Sequence, residues 1–555
     1  MNPFARLSIA CAAVGVLASA AVAAKEPDPG GALVMRRLTP EQYRETIADI
    51  FGRSISLGGR FEPDKRVEGL MAVGTGQVNV TASGLEQYDL MARAIAAQVV
   101  SEPRRATLIP CKPTSPDHAD DACARTFFRT AGRLLYRRPL EDAELGAWVA
   151  VASEAARATN DFYAGVGTSL ANMLVSLPFL FRQEVAIPDP EEPGTLRTDG
   201  YTTASRLSFF LWNAPPDEDL LAAAERGDLN TKKGIARQAD RLLASPRLEA
   251  GARAFFADMF RYSQFDGLSK DHQIYPKFTG QAAKDAPEQT LRTAITLLLR
   301  DHGDYRDLFT TRKTYLTPTL GALYGVPVPN LASEGAPELW VPYEYPEGDS
   351  HAGILSQASF VSLHSHAGRS SPTIRGKALR EIMLCQKVPD PPGNVNFDIA
   401  DDTGNAERKT ARARLTAHRT DPTCAGCHKV LDPIGLALEN FDSAAALRTT
   451  ENGEAIDTSG ELDGIAFADA VGLGKAVHDN PATPSCLAKR LFSYAVGRSL
   501  GGSDAPWTKS LEQAFAADGY RLPELLRRIA TSEAMYRISA VDQTASAEPA
   551  GKDKP

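Results

Sequence analysis

Two cysteines and a histidine in one short segment have the clearest chemical potential in this chain. Cys424 and Cys427 are separated by two small residues and His428 follows directly, which gives the pattern Cys-x-x-Cys-His. In a helix, one turn places both thiols on the same face, where they can form thioethers with the two vinyl groups of a porphyrin. The adjacent imidazole can then bind the iron. The spacing predicts one covalent haem c, held by Cys424 and Cys427, with His428 as proximal ligand.

Three other kinds of site can use the same motif. A dithiol–disulfide redox centre is expected between a strand and a helix, whereas the surroundings of Cys424 have helix and loop patterns. A structural zinc site needs four close ligands, and the sequence has no second C-x₂₋₄-C or H-x₃₋₅-H pair. A disulfide between Cys424 and Cys427 would be short and strained. Haem attachment is the favoured interpretation.

The sixth iron ligand has several candidates. His364 and His366 form an H-x-H pair, and one of them is the tentative distal ligand. The alternative for this pair is an exposed polar loop ahead of the helix that follows Pro372. Met383 and His478 are further candidates, although a methionine at helical spacing usually belongs to a core.

Two arginines near the start of that helix also have two interpretations. Arg369 and Arg375 can pair with haem propionates as charged forks, or they can be ordinary surface arginines. For the rest of the chain, the sequence indicates no catalytic residue. It contains no Walker-type loop and no H-E-x-x-H segment, each of which would mark a known reaction class.

Composition and charge place the chain among globular proteins. It has 555 residues, of which 43% are hydrophobic and 23% charged, and its net charge is −8. A length of this order suggests several folding units. A mildly acidic chain lacks the basic surface that binds phosphate backbones, so nucleic acid is not expected as a partner.

The first residues indicate export. Residues 1–23 contain Arg6, then an Ala/Val/Leu run, and end in Ala21-Val-Ala23, the small-x-small pattern of a cleavage site. The alternative is an N-terminal membrane anchor. Residues 162–181 are uncharged but interrupted by Gly, Ser, Asn and Pro, which favours a buried core helix. We therefore expect a periplasmic or extracellular protein without a membrane span after signal cleavage.

Export also bears on the cysteines. Of the seven, one lies in the predicted signal segment, and an even number in an oxidising compartment favours pairing. Cys111 and Cys123 flank a polar loop and are expected to close it as a disulfide. Cys385 and Cys486 are left as a candidate long-range pair, since sequence alone does not fix connectivity.

Most of the chain has helical periodicity. Thr39 is the expected cap of a first helix, Gln42 completes a capping box, and Gly52 ends the helix. Alternating Val, Ile and Thr is scarce, and the best strand candidates are 339–345 and 456–462. The predicted fold class is mainly α, a multi-domain helical protein with a C-terminal cytochrome c-like haem module.

Changes in composition give the expected domain limits. Pro- and Glu-rich stretches interrupt the helical pattern at several places and mark linkers or loops. The expected units are a signal peptide (1–23), an N-terminal helical domain (32–110), a helical domain with the Cys111–Cys123 loop (111–186), a third helical domain (195–325), the haem module (351–450), a C-terminal helical domain (470–539) and a disordered tail (540–555).

Several segments resemble the planctomycete-type cytochrome c proteins. The longest is Cys-Ala-Gly-Cys-His-Lys-Val-Leu-Asp-Pro-Ile-Gly-Leu-Ala-Leu-Glu-Asn-Phe-Asp, residues 424–442. Segments 353–360 and 369–377 are similar to the same haem module. Five further segments are similar to the helical domains that accompany this module: residues 36–43, 134–140, 205–212, 216–220 and 487–497. The resemblance implies an exported single-haem protein, and it implies no substrate because the accompanying domains are of unknown function.

Three functions are consistent with these features. The first is a periplasmic mono-haem c-type cytochrome that exchanges single electrons with an unknown redox partner. The second is a haem-dependent oxidoreductase, peroxidase-like or oxidising, because about 350 residues before the haem module exceed what an electron carrier needs. The third is a helical binding or scaffold protein of the periplasm.

Overall fold

Helices dominate the computed structural model, and the predicted mainly helical, multi-domain fold is confirmed. The structure describes residues 30–328, 340–389, 409–418 and 422–539. The predicted signal segment and the predicted tail therefore lie outside the described residues. So do two stretches of the predicted haem module, 390–408 and 419–421.

The helices are numbered in chain order. They are α1 (Pro40–Phe51), α2 (Met71–Gly74), α3 (Ala82–Val99), α4 (Glu102–Leu108), α5 (Asp121–Tyr136), α6 (Asp142–Thr159), α7 (Phe162–Leu174), α8 (Leu177–Leu180), α9 (Gly200–Leu211), α10 (Glu218–Glu225), α11 (Lys232–Leu243), α12 (Arg247–Met259), α13 (Gly280–Ile295), α14 (Pro318–Tyr324), α15 (Ala358–Leu363), α16 (Pro372–Met383), α17 (Ala411–His418), α18 (Pro422–Leu436), α19 (Ala470–Asp479), α20 (Ala482–Val496), α21 (Ala505–Ala517) and α22 (Leu522–Thr531).

The strands are short and antiparallel. They are β1 (Arg36–Arg37), β2 (Phe181–Arg182), β3 (Ala186–Pro188), β4 (Leu196–Thr198), β5 (Lys313–Leu316), β6 (Val341–Glu344), β7 (Thr450–Glu451), β8 (Glu454–Ala455), β9 (Gly460–Leu462), β10 (Ile465–Phe467) and β11 (Arg537–Ile538). β1 pairs with β2, β5 with β6, β7 with β8 and β9 with β10, while β4 lies between β3 and β11. β6 and β9 lie within the two predicted strand segments.

The start of α1 shows how local sequence sets a helix boundary. The Thr39 side chain accepts a hydrogen bond from the Gln42 backbone N–H, and the Gln42 side chain accepts one from the Thr39 N–H, so the predicted capping box is confirmed. Gly52 ends the helix with φ 95°, a conformation that a side chain would strain. The predicted disulfides, Cys111–Cys123 and Cys385–Cys486, are both present.

Two large hydrophobic cores organise the described chain. One contains α1 and α3 to α8, and the other runs from α9 through the predicted haem module to α22. A buried carboxylate joins the two cores. The Glu184 side chain, 3% exposed, accepts hydrogen bonds from Arg36 at 3.1 Å and Arg206 at 2.6 Å. These guanidinium groups, outweighing the effect of burial, lower the pKa of Glu184 to about 2.

The uncharged segment 162–181 is folded into the first core. It forms α7, α8 and the start of β2, and Val166, Leu170 and Phe179 are fully buried. Within the part of the chain that the structure describes, no helix has the length and apolar character needed to cross a membrane.

Candidate haem-attachment site

Helix α18 carries the Cys-x-x-Cys-His motif in its first half. The predicted helical setting is confirmed, so the two motif cysteines lie one turn apart. Cys424 and Cys427 are partly exposed, and neither belongs to a disulfide. The interpretation of this segment as a short disulfide is therefore wrong, and both sulfurs have the thiol chemistry that thioether formation needs.

A buried aspartate fixes the motif histidine. His428 Nδ1 lies 2.9 Å from Oδ2 and 3.1 Å from Oδ1 of Asp432, one helical turn further along α18. The Asp432 side chain is 0% exposed and also accepts a hydrogen bond from the Thr373 hydroxyl at 2.8 Å. Because a carboxylate only accepts, Nδ1 carries the proton, and the hydrogen bond raises the pKa of His428. In this tautomer the nitrogen without a proton is Nε2, the atom through which a neutral imidazole binds a metal.

Glycines bring the haem-motif helix into backbone contact with α16. A Cβ at Gly435 would lie 1.8 Å from the carbonyl oxygen of Pro372, and one at Gly376 would lie 2.1 Å from that of Leu431. Since real Cβ contacts are never this short, only glycine fits at either position. The close approach lets Thr373 of α16 reach the carboxylate that holds the motif histidine.

Arg375 anchors the chain just after α18. Its guanidinium is 0% exposed and donates to Glu439 Oε1 at 3.1 Å, to the carbonyl oxygens of Leu438 at 2.8 Å and Phe441 at 2.9 Å, and to the Ser365 hydroxyl at 3.0 Å. Burial lowers its pKa to about 10, so it is charged at neutral pH. Both interpretations of Arg375, a propionate partner and a surface arginine, are wrong, because its guanidinium lies in the core and donates its hydrogen bonds to these protein groups.

The histidine pair is split between the interior and the surface. His364 is 6% exposed, with its ring 4.9 Å from that of Phe360, and burial and nearby positive charges lower its pKa to about 3. It lines a cavity of about 10 Å³ together with Met383, barely the space for one water. The His366 side chain is exposed, and its carbonyl oxygen accepts a hydrogen bond from buried Lys270 at 3.0 Å.

The loop that carries this pair lies against the segment just after α18, where the Ser443 hydroxyl donates to the carbonyl oxygen of His366. The start of α16 lies against the end of α18, where Pro372 meets Gly435, and the 364–366 loop leads into α16 at that end. His428 lies eight residues before the end of α18, a rise of about 12 Å. His478 lies on α19, where its Nδ1 is 2.7 Å from the carboxylate of the next residue.

The residues present fit a covalently held haem c. Two thiols lie one turn apart on α18, and the next side chain has one ring nitrogen committed to a buried carboxylate. Among the described residues, no group of three or more His, Cys, Asp or Glu side chains is arranged to hold a metal ion. The described residues around the motif therefore do not support a zinc site with the usual four protein ligands.

Sequence reasoning missed Asp432. The signal was present, because an aspartate four residues after a histidine faces it on a helix. What the sequence did not reveal is that the carboxylate is buried. Burial depends on the contact with Thr373 of α16, which lies 59 residues earlier in the chain.

Comparison with protein-family models matches five segments along the chain. Each model is described as a protein of unknown function: DUF1587 at residues 36–101, DUF1595 at 123–184, DUF1592 at 198–326, DUF1588 at 351–451 and DUF1585 at 463–535. The haem motif lies in the fourth. No curated protein and no solved structure matches the chain. The chain is thus built from the domains of a planctomycete cytochrome c-associated family.

Proposed function

We propose that this chain is an exported, mono-haem c-type protein that transfers single electrons to or from a periplasmic redox partner. Cys424 and Cys427 tether the haem, and His428 is the proximal iron ligand. The observation that carries the proposal is the hydrogen bond from His428 Nδ1 to buried Asp432, 2.9 Å long, on the helix that also bears both thiols. This contact sets the tautomer that leaves Nε2 for iron.

Each protein group has a defined task in this proposal. Bound haem c supplies a one-electron iron couple. The two thiols fix the porphyrin edge on α18, and Asp432 orients the imidazole and keeps its Nδ1 proton in place. Gly376 and Gly435 hold α18 against α16, so the imidazole and its aspartate move as one unit. A site that does not reorganise suits electron transfer, since reorganisation adds to the barrier.

The tether is tested by covalent haem staining on a denaturing gel, with protein made beside an active haem-attachment pathway. Staining is expected for the unchanged chain and for Lys429→Ala, a matched control next to the motif. The double variant Cys424→Ala/Cys427→Ala is expected to lose all stain. Retained stain in the double variant would refute the tether.

A haem-dependent oxidoreductase is the second candidate. It is favoured by the roughly 350 residues that precede the predicted haem module, which exceed what an electron carrier needs. Carbon monoxide separates the two functions. A carrier with six protein and haem ligands leaves its reduced spectrum unchanged on addition of carbon monoxide, whereas an enzyme with an open iron position shows a shift.

A further inference from the structure

The disulfide between Cys385 and Cys486 joins the predicted haem module to the predicted C-terminal helical domain. Cys385 follows the end of α16, and Cys486 lies in the first half of α20, 101 residues later in the chain. We propose that this disulfide is redox-active: a dithiol reductant, in a protein or a small molecule, opens it in the folded chain. The proposal does not depend on the haem.

The two halves of the disulfide differ in their access to solvent. Cys385 is exposed, whereas Cys486 is 1% exposed and lies in the core. A thiolate nucleophile therefore reaches the bond from the Cys385 side. Cys385 also has φ 54°, a left-handed backbone conformation that is unfavourable for a residue with a side chain. Opening the disulfide frees the chain after α16 to leave this conformation.

A buried arginine lies against the sulfur of Cys385. Arg490 is 5% exposed and lies one turn after Cys486 on α20. Its Nε is 3.2 Å from Sγ of Cys385, and its Nη2 donates to the carbonyl oxygen of Glu381. Its Nη1 is buried and has no hydrogen-bond partner. The acceptors of this guanidinium are therefore a sulfur and a carbonyl oxygen, both of them neutral.

The charges around Arg490 leave it without a counter-charge. Asp258 pairs with Arg66 at 2.8 Å, and Glu381 pairs with Arg261 at 3.0 Å, so three arginines face two carboxylates. Among the described residues, no carboxylate forms an ion pair with Arg490. Burial and the charges of Arg261 and Arg66 lower the pKa of Arg490 to about 10, so it is charged at neutral pH. A buried cation without a counter-charge is costly.

Reduction of the disulfide supplies the missing negative charge. The thiolate of the dithiol attacks Sγ of Cys385, the bond between the two protein sulfurs breaks, and Cys486 leaves as a thiolate. The second thiol of the reductant passes its proton to Cys486 and attacks the mixed disulfide, and Cys385 leaves as a thiolate. The reductant becomes a disulfide, and its two electrons are on the protein sulfurs. A guanidinium beside Cys385 stabilises this thiolate, both as leaving group and as product, which makes the disulfide easier to reduce.

A redox titration of the full, haem-loaded chain under native conditions tests the proposal. The protein is equilibrated with mixtures of reduced and oxidised dithiothreitol, and free thiols are then alkylated. Peptide mass spectrometry measures each cysteine separately, so the motif cysteines do not affect the result. Cys111–Cys123 is an internal reference, because among the described residues no arginine nitrogen contacts its sulfurs. Cys385–Cys486 is expected to open first, at a less reducing ratio of the two dithiothreitol forms.

Variants of the arginine separate its charge from its packing. Arg490→Met removes the charge and is expected to lower the equilibrium constant for reduction about tenfold, a shift of about 30 mV for this two-electron couple. Arg490→Lys keeps the charge and is expected to stay closer to the unchanged chain. Arg53→Met, at a side chain that is 76% exposed, is the matched control and is expected to titrate like the unchanged chain.

Two results would overturn the proposal. In the first, Cys385–Cys486 of the unchanged chain opens only together with Cys111–Cys123 or only after the chain unfolds, as followed by circular dichroism. In the second, Arg490→Met folds and titrates like the unchanged chain. If Arg490→Met does not fold, the titration of the unchanged chain against its internal reference decides.

Discussion

The contact between His428 and Asp432 makes a quantitative prediction. In Asp432→Asn the side chain keeps its shape and can still accept from Nδ1, but the negative charge is lost. The carboxylate stabilises ferric iron over ferrous iron through the imidazole, because it makes the ligand more electron-rich. Removing the charge is therefore expected to raise the haem reduction potential.

The magnitude follows from the burial of the carboxylate. Its side chain is 0% exposed and the hydrogen bond is 2.9 Å long, so solvent screens it little. A charge-assisted hydrogen bond is about twice as strong as a neutral one, a difference of about 1.4 kcal/mol. Assigned wholly to the ferric state, this difference equals an increase of roughly 60 mV for a one-electron couple, which is the upper limit of the expected shift.

Spectroelectrochemical titration of the haem-loaded protein measures this shift. Asp479→Asn is a matched control, because its carboxylate also contacts a histidine but is 58% exposed. The control is expected to keep the original potential. In protein without haem, Asp432→Asn should lower the pKa of His428, measured by nuclear magnetic resonance, because the hydrogen bond raises it. A haem-loaded variant with an unchanged potential would refute the reasoning.

Three further predictions concern stability and the sixth ligand. Glu184→Gln leaves buried Arg36 and Arg206 without their counter-charge and is expected to lower the free energy of unfolding by about 3 kcal/mol in urea titrations. The pKa of Glu184 falls from 4.5 to about 2 on folding, so the stability it contributes is present above pH 4.5 and is lost as the pH falls towards 2. The unchanged chain should therefore lose stability over this interval, and Glu184→Gln should lose less. Gly435→Ala places a Cβ 1.8 Å from a carbonyl oxygen of α16 and is expected to cost about 2 kcal/mol, seen as a lower melting temperature. His364→Ala and His366→Ala, made singly, are expected to leave the haem spin state unchanged because both lie at the far end of α18; a switch to high spin in either would establish it as the axial ligand.

Local patterns predicted the local features of this chain. The capping box at Thr39, the helix around Cys424 and Cys427, and the disulfide between Cys111 and Cys123 each depend on residues close in sequence. For such features the types and spacing of neighbouring residues largely determine the geometry.

Features that join distant segments could not be predicted in the same way. Arg375 has the sequence context of a helix surface, but its partner Glu439 lies 64 residues later and places it in the core. Glu184 is likewise paired with Arg36, which lies 148 residues earlier in the chain. Burial of a charged group reflects tertiary packing, which a single sequence does not display.

Covalent attachment of one haem through the two motif cysteines is the central claim. Intact-mass and peptide mass spectrometry of protein purified from cells with an active haem-attachment pathway test it most directly. The account predicts a mature chain heavier by one haem, with the added mass on the peptide that contains Cys424 and Cys427. An unmodified peptide with both thiols free would contradict it.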